Sequence, residues 1–322
     1  MAAKVIPKKI RLEASSFCQL RCPSCPTTTK AIEPAVGSGF LTAANFRKLV
    51  DRNPAVTEIE LSNYGEIFLN PELLEIIAYA HERGVTLSAD NGVNLNNVRD
   101  DVLEGLVKYG FRSMTCSIDG ASAETYSQYR VRGSFERVLE NVRKINRFKK
   151  LYETKRPVLA WQFIVFGHNE HEILEAKKLA ESLDMVFRPK LSWDDDVSSV
   201  KDREEVAKIS GLGAASREEF KEKFGREYLQ KICTQLWLSP QINWDGKVLG
   251  CCRNFWGDFG GNAFKNGLMT SLNNEKITYA REMLLGRQPA REDIPCTTCE
   301  IYIGMKAGGQ FIKTKSKSKP PR

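Results

Sequence analysis

Residues 17–26 read Phe-Cys-Gln-Leu-Arg-Cys-Pro-Ser-Cys-Pro, which places Cys18, Cys22 and Cys25 in the spacing C-x3-C-x2-C. Three thiolates on one loop can hold three irons of a [4Fe–4S] cube and leave the fourth iron without a protein ligand. An iron with an open position can bind a substrate or a cofactor. The spacing therefore predicts a reactive cluster rather than a simple electron carrier.

Two other uses of these cysteines fit the sequence less well. A zinc site usually combines two CxxC pairs or Cys/His pairs, and no histidine lies near this stretch. A disulfide framework is typical of small secreted domains. The N-terminus, Met1 to Pro7, lacks the apolar core of a signal peptide.

Bulk composition agrees with a globular, cytoplasmic protein. The chain has 322 residues, 42% of them hydrophobic, and no apolar run long enough to span a bilayer. Five of its eight net positive charges lie in residues 313–322, so the rest is only mildly basic and indicates no nucleic-acid partner. Residues 306–322 are expected to form a basic, disordered tail.

Strand and helix signals alternate through residues 1–192. Strands are expected over residues 9–14, 57–62, 85–89, 111–118, 158–166 and 186–191. Helices are expected over residues 41–50, 71–83, 97–109, 134–150 and 170–183. This alternation predicts an α/β fold, an open partial (β/α)6 barrel of parallel strands with helices outside. The cysteine loop follows the first strand, and so lies at the carboxyl ends of the strands, where reactive groups gather in such folds.

The strands also predict a polar interior. In the fourth strand Thr115, Ser117 and Asp119 share one face, while Met114, Cys116 and Ile118 share the other. The apolar face should meet the helices, which makes Cys116 a core residue. The polar faces serve either to bind a polar substrate or as an internal hydrogen-bond network.

The cysteine motif resembles the signature of the radical S-adenosylmethionine (AdoMet) enzymes, and further segments follow that family's order. The Asn63-Tyr64-Gly65-Glu66 segment is similar to a Gly-Gly-Glu motif that binds the AdoMet amino group, although Tyr64 replaces its first glycine. The residue before the third cysteine is often aromatic in the family and is Ser24 here, so the adenine must pack against another residue. The resemblance implies a cofactor-binding set at strand ends, with Arg130 preferred over Arg132 for the AdoMet carboxylate: Gly65, Glu66, Asn91, Ser117, Asp119, Arg130, Arg132 and Asn169.

A second set of cysteines lies in the C-terminal third. Reading Cys251 as the ligand gives C-x17-C-x44-C-x2-C for Cys233, Cys251, Cys296 and Cys299. This resembles a SPASM domain in its shortened "twitch" form, whose four thiolates would saturate one auxiliary [4Fe–4S] cluster. Zinc is the alternative metal. The expected division is a barrel over residues 1–192, a linker and bridging helix over 193–230 and a small α+β twitch domain over 231–305.

Cys252 is open to three interpretations: a ligand in place of Cys251, a buried thiol, or a hydrogen-atom donor beside Arg253. We assign Cys252 and Arg253 to the catalytic set.

The resemblance implies reductive cleavage of AdoMet to a 5′-deoxyadenosyl radical, hydrogen abstraction and oxidation of the substrate radical through the auxiliary cluster. The twitch spacing is similar to that of the aminocyclitol dehydrogenases, which favours a polar small molecule such as a sugar, cyclitol or glycan precursor. Modification of a peptide or protein, by crosslinking or epimerisation, is the alternative activity. A non-enzymatic iron–sulfur or zinc protein is a third class, against which the open-iron motif argues. A reductant such as flavodoxin or ferredoxin is the expected protein partner.

Overall fold

The computed structural model describes residues 4–193, 197–229 and 232–312. Its centre is a single seven-stranded sheet in the order β6-β5-β4-β3-β2-β1-β7, with parallel pairing between all neighbouring strands. The predicted α/β class and the six successive parallel strands are confirmed.

The strands run in chain order as follows: β1 (Lys9–Leu12), β2 (Glu58–Glu60), β3 (Thr86–Val93), β4 (Ser113–Ser117), β5 (Val158–Val165), β6 (Met185–Leu191) and β7 (Gln241–Ile242). The helices are α1 (Glu33–Val36), α2 (Ala43–Arg52), α3 (Leu73–Glu82), α4 (Asp100–Lys108), α5 (Ala123–Tyr129), α6 (Phe135–Leu151), α7 (Ile173–Ser182), α8 (Arg203–Ile209), α9 (Arg217–Phe224), α10 (Gln235–Leu238), α11 (Leu268–Leu272), α12 (Glu275–Leu284) and α13 (Glu300–Ala307). No described helix is both long and apolar enough to cross a membrane.

Local sequence explains where several helices begin. Thr42, Ser122 and Ser134 have extended backbones, and each side chain accepts a hydrogen bond from the amide three residues later. Such caps satisfy an amide that has no partner inside the helix. The cap of α5 matters most for the site, because α5 ends at Tyr129 and delivers Arg130.

The two faces of β4 divide as the alternation predicts. Met114, Cys116 and Ile118 are fully buried in the main hydrophobic core. Thr115 and Ser117, on the opposite face, are buried polar residues. Cys116 is therefore a core residue.

Two strands differ from the sequence expectation. β3 continues past Ala89 to Val93, and its register with β4 shifts between those residues. Asn91-Gly92, expected as a turn after the strand, lies inside this irregular segment, where Gly92 has φ +138°. β7 was not expected at all, because two residues carry no detectable alternation. It pairs with β1 and joins the C-terminal region to the barrel sheet.

The C-terminal half also differs at two boundaries. Within the linker and bridging helix expected over residues 193–230, the structure has the two short helices α8 and α9, and α9 stops at Phe224 because Gly225 adopts a left-handed conformation at φ +60°. Packed structure reaches beyond the expected tail boundary at 306. α13 ends at Ala307, and the Ile312 amide donates to the Leu284 carbonyl at 3.2 Å. The charged residues 313–322 and the acidic Asp194–Asp196 lie outside the described residues.

Candidate active site

The first cysteine group lies on the loop that follows β1. Cys22 is buried, Cys18 and Cys25 are half-buried, and none of the three is in a disulfide. They pack in a small apolar cluster separate from the main core, which also contains Leu20, Tyr129, Ile164 and Phe166. One loop therefore presents three thiols to one partly apolar space at the carboxyl edge of the sheet.

The chemistry of these thiols fits an iron–sulfur cluster. Burial, followed by the nearby carboxyl of Glu66, raises the pKa of Cys18 to about 12. Burial also raises the pKa of Cys22, although Arg130 opposes this. With their pKa raised, the Cys18 and Cys22 thiols stay protonated at neutral pH, so a group bound through their thiolates must supply positive charge, as iron does. The Asn94 amide lies 3.8 Å from Cys18 Sγ and adds a polar contact to that sulfur.

A buried ion pair stands beside the thiols. Arg130 Nε and Nη2 both lie 2.6 Å from Asp119 Oδ2, and Asp119 is fully buried. Asp119 Oδ1 accepts the Ile164 amide at 2.7 Å, which fixes the carboxylate at the ends of β4 and β5. Arg130 Nη1 donates to Cys22 Sγ at 3.5 Å. The pair thus holds one guanidinium directly against the thiol loop.

Arg132, the second arginine of the expected carboxylate-binding pair, is placed differently. It is exposed and has a positive φ of 72°, and no hydrogen bond or ion pair involves its side chain within the described residues. The structure brings Arg130 to the site and leaves Arg132 at the surface.

Gly65 and Glu66 shape the loop after β2. A Cβ atom on Gly65 would lie 2.1 Å from the Ser15 carbonyl oxygen, so only glycine permits this approach to the cysteine loop. Glu66 is buried, which raises its pKa to about 7. Its two carboxylate oxygens accept the amides of Phe68 and Asn94. The Glu66 side chain therefore holds the loop to the end of β3.

The remaining expected cofactor residues gather at the same edge. Ser117 ends β4, and its hydroxyl lies 3.0 Å from where a Cβ on Gly92 would sit. Asn91 donates to Asn63 Oδ1 at 3.0 Å. Asn169 is fully buried, and its amide bonds the Asp119 and Ile164 carbonyls and the Phe166 amide. Asn169 fastens the loops after β4 and β5 to each other.

Sequence reasoning did not find the aromatic residues of the site. The Tyr129 hydroxyl lies 2.9 Å from the Ser24 hydroxyl, and its ring centroid is 4.6 Å from that of Phe166. The His168 ring stacks on Phe166 with their centroids 5.3 Å apart, and His168 Nε2 has no hydrogen-bond partner among the described residues. Tyr129 thus reaches the position that lacks an aromatic residue in the cysteine loop. The sequence signal that could have found Tyr129 is its position directly before Arg130, at the end of α5.

The second cysteine group converges from distant parts of the chain. Cys233, Cys251, Cys296 and Cys299 line one pocket, whose walls are mainly apolar and include Leu236, Trp256, Phe259 and Leu284. Burial, followed by the neighbouring Cys233, raises the pKa of Cys251 to about 12. The same causes raise the pKa of Cys296. Four thiols that line one apolar pocket suit a metal–sulfur cluster with thiolate ligands, whereas no group of three or more ligating side chains among the described residues is arranged to hold a single metal ion.

Cys252 lies outside the lining of that pocket. Its amide donates to Gln235 Oε1 at 3.0 Å, and Gln235 Nε2 donates to its sulfur at 3.2 Å. Arg253 points to another partner, since its guanidinium lies 3.0 Å from Glu300, a residue whose side chain is 86% exposed. The structure therefore places Cys251, rather than Cys252, with the other three thiols.

Tyr64 connects the two groups. Its hydroxyl donates to the Cys252 carbonyl at 2.9 Å, and its ring packs edge-on against Phe255 at 6.1 Å. Its own carbonyl accepts the Thr27 hydroxyl at 2.6 Å, two residues beyond Cys25. The departure from the glycine motif thus forms a contact between the cysteine loop and the C-terminal region.

Comparisons with known proteins agree with this arrangement. A sequence model of the Radical SAM superfamily matches residues 12–180, which hold the first cysteine group and the strands from β2 to β5. The AdoMet-dependent heme synthase of Methanosarcina barkeri (strain Fusaro / DSM 804) is 30% identical over 139 residues, which cover 42% of this chain. The match spans 38% of that relative's length.

Solved structures show the same fold over nearly the whole chain. SuiB of Streptococcus suis bound to S-adenosylmethionine superposes with a TM-score of 0.63 at 14% identity, over 92% of this chain and 72% of SuiB. BtrN in complex with AdoMet and 2-DOIA superposes with a TM-score of 0.51 at 16% identity, over 91% of this chain and 93% of BtrN. At such identities the likeness concerns the fold alone.

Proposed function

Because the chain belongs to the radical SAM superfamily, we propose that it is a dehydrogenase-type oxidoreductase that uses two iron–sulfur clusters. Membership implies AdoMet and one [4Fe–4S] cluster, for which Cys18, Cys22 and Cys25 are the ligands. When bound, these groups supply a 5′-deoxyadenosyl radical that takes a hydrogen atom from an unactivated C–H bond. An external donor such as flavodoxin or ferredoxin provides the electron.

The observation that carries the proposal is the guanidinium of Arg130 held against the thiol loop by buried Asp119. A guanidinium fixed beside Cys22 would be suited to bind the AdoMet carboxylate. Tyr129 and Phe166 provide the apolar surface against which the adenine packs and from which water is excluded. Gly65 lets the loop after β2 lie against the thiol loop, where its backbone can receive the amino group.

The second cysteine group suits the oxidation step. We assign Cys233, Cys251, Cys296 and Cys299 as ligands of an auxiliary [4Fe–4S] cluster in a twitch-type domain. Four thiolates leave no open iron, so this site accepts an electron and does not bind AdoMet. Cys252 lies beside the pocket and accepts a hydrogen bond from Gln235. A hydrogen atom donated by its thiol would quench the substrate radical without oxidising it, so that role belongs to the alternative epimerase activity and not to the dehydrogenation.

Polar side chains in the barrel support a polar small-molecule substrate. Gln162 is buried on β5, and its side-chain oxygen accepts a hydrogen bond from Lys190 on the neighbouring strand β6. Burial and nearby Arg188 lower the pKa of Lys190. Lys190 forms no ion pair with any of the described residues. These groups offer donors to substrate oxygens, as a sugar, a cyclitol or a glycan precursor requires.

The first test is anaerobic reconstitution, with an iron and zinc count and a dithionite-driven assay for 5′-deoxyadenosine. We expect about eight irons per chain and deoxyadenosine formation. Cys116→Ala is a matched control, since it removes a thiol from the core and should leave both results unchanged. No iron at the N-terminal site and no deoxyadenosine would refute the enzyme proposal. Zinc in place of the second set of four irons would refute the auxiliary cluster.

Product analysis separates the two activities considered. A dehydrogenase yields one deoxyadenosine per product that is lighter by two hydrogens. An epimerase acting on a peptide leaves the mass unchanged in H₂O and incorporates one deuterium from D₂O. Candidate polyols and peptides can be screened in the same assay, and deuterium incorporation without oxidation would overturn the dehydrogenase proposal.

A further inference from the structure

Tyr64 is held at both ends by parts of the chain that are far apart in sequence. Its amide donates to Glu13 Oε1 at 3.0 Å, and its carbonyl accepts the Thr27 hydroxyl. Its hydroxyl reaches the Cys252 carbonyl, while its ring belongs to a small apolar cluster with Leu249 and Phe255. A glycine at position 64 would lack both side-chain contacts.

The other side of this contact is equally constrained. The Cys252 carbonyl accepts a second hydrogen bond, from Asn63 Nδ2 at 3.1 Å. Gln235 bonds both the amide and the sulfur of Cys252. Every polar atom of Cys252 thus has a partner, two from the loop after β2 and two from α10. Such redundancy indicates that the position of this segment matters.

We propose that Tyr64 is a positioning residue that couples the two cysteine sites. Two hydrogen bonds and short pieces of chain lead from Cys25 through Thr27, Tyr64 and Cys252 to Cys251. Binding of AdoMet at the first site would order the loop after β2. Through its hydrogen bond to the Cys252 carbonyl, Tyr64 would then also restrict the motion of the main chain beside Cys251. The inference rests on the proposed function, since it takes both thiol groups to hold clusters.

The expected consequence is a change in the second site without loss of its ligands. Tyr64→Phe keeps the ring on Phe255 and removes only the bond to the Cys252 carbonyl. The loosened segment admits water, and hydrogen bonds and solvent around a cluster set its potential. Water favours the more negatively charged reduced state, so the midpoint potential of the second site should rise while its iron content stays constant.

The experiment compares anaerobically reconstituted wild type and Tyr64→Phe. Hydrogen exchange of the peptide over residues 249–256 should be about fivefold faster in Tyr64→Phe, as expected for one lost hydrogen bond. Adding AdoMet should protect this peptide in wild type and not in the variant. Redox titration by EPR, with Cys18, Cys22 and Cys25 replaced by alanine in both proteins, isolates the second site and should give the higher potential for Tyr64→Phe.

Two further variants make the outcome decisive. Tyr152→Phe is the matched control, because it removes a surface phenol that donates to Glu104. It should change neither exchange nor potential. Asn63→Ala removes the other bond to the same carbonyl and should act in the same direction as Tyr64→Phe. Equal exchange, equal AdoMet protection and equal potentials in wild type and Tyr64→Phe would overturn the coupling. Absence of iron at the second site of wild type would instead defeat the auxiliary cluster, and the AdoMet-protection comparison would still decide the role of Tyr64.

Discussion

The two cysteine groups of this chain are assembled in opposite ways. Cys18, Cys22 and Cys25 come from one loop, so the spacing of the sequence already brings their thiols together. Cys233, Cys251 and the Cys296/Cys299 pair come from three separate segments and meet only because α10, α12 and α13 pack around them. The first group is a local motif placed on a barrel, whereas the second depends on tertiary structure. The following predictions test that contrast.

Replacement of Cys18, Cys22 and Cys25 together by alanine should have the largest effect. Deoxyadenosine formation should be abolished, because no protein ligand remains for the first cluster, while about four irons per chain should stay at the second site. Anaerobic iron analysis and chromatography of the reaction measure both results. Loss of all iron would show that the two groups do not form separate sites.

The exchange of single thiols tests the second group. Cys251→Ser should lose the iron of the C-terminal site, because Cys251 lines the pocket, whereas Cys252→Ser should retain it. Deoxyadenosine formation should survive in both variants. Iron counts after reconstitution of the two proteins side by side decide between them, and the reverse pattern would exchange the roles of the two residues.

Substitution of Arg130 and of Arg253 compares the stability contributed by a buried ion pair with that of an exposed one. Arg130→Gln leaves Asp119 buried without its partner, which should cost about 3–5 kcal/mol of unfolding free energy and abolish AdoMet binding. Arg253→Gln removes a pair with exposed Glu300 and should change stability little. Denaturant unfolding of the metal-free proteins and AdoMet titration of the reconstituted ones measure these effects. Equal destabilisation by both changes would contradict the assigned burial.

The unfolding free energy should depend on pH through Glu13, a buried residue of the barrel. Burial raises the pKa of Glu13 to about 8, although the amides of Gly65 and Tyr64 oppose this. The unfolded carboxyl titrates near 4.5, so the folded protein binds the extra proton between these values, and stability falls as pH rises through them. The slope should approach about 1.4 kcal/mol per pH unit between pH 5 and pH 7.

Glu13→Gln keeps the acceptor for the two amides and removes the titration. Its unfolding free energy, measured in urea on metal-free protein, should vary less with pH than that of wild type by about that slope. An identical pH profile in the two proteins would show that Glu13 is ionised in the folded state.

Elements with a repeating residue pattern were predictable from the sequence, whereas elements that depend on a single tertiary contact were not. The six barrel strands were predictable because they recur between helical segments, either with apolar and polar residues alternating, as on β4, or as a short apolar run, as on β5. β7 was not, since Gln241 and Ile242 are strand residues only through their pairing with β1. The position of Asn91 inside β3 likewise follows from a shift in register that neighbouring strands impose.

The sequence by itself determined the first thiol group, since three cysteines within eight residues must share a loop wherever the chain folds. It also determined the barrel class, because strand and helix signals alternate along residues 1–192. Sequence resemblance already preferred Arg130 to Arg132, but only the tertiary structure placed the Arg130 guanidinium against Cys22, Cys251 rather than Cys252 in the second pocket, and Tyr129 beside Ser24. Each of these placements depends on which residue a distant segment of the chain approaches. Hydrogen bonds and ion pairs act over a few ångströms in space, and sequence distance does not report that separation.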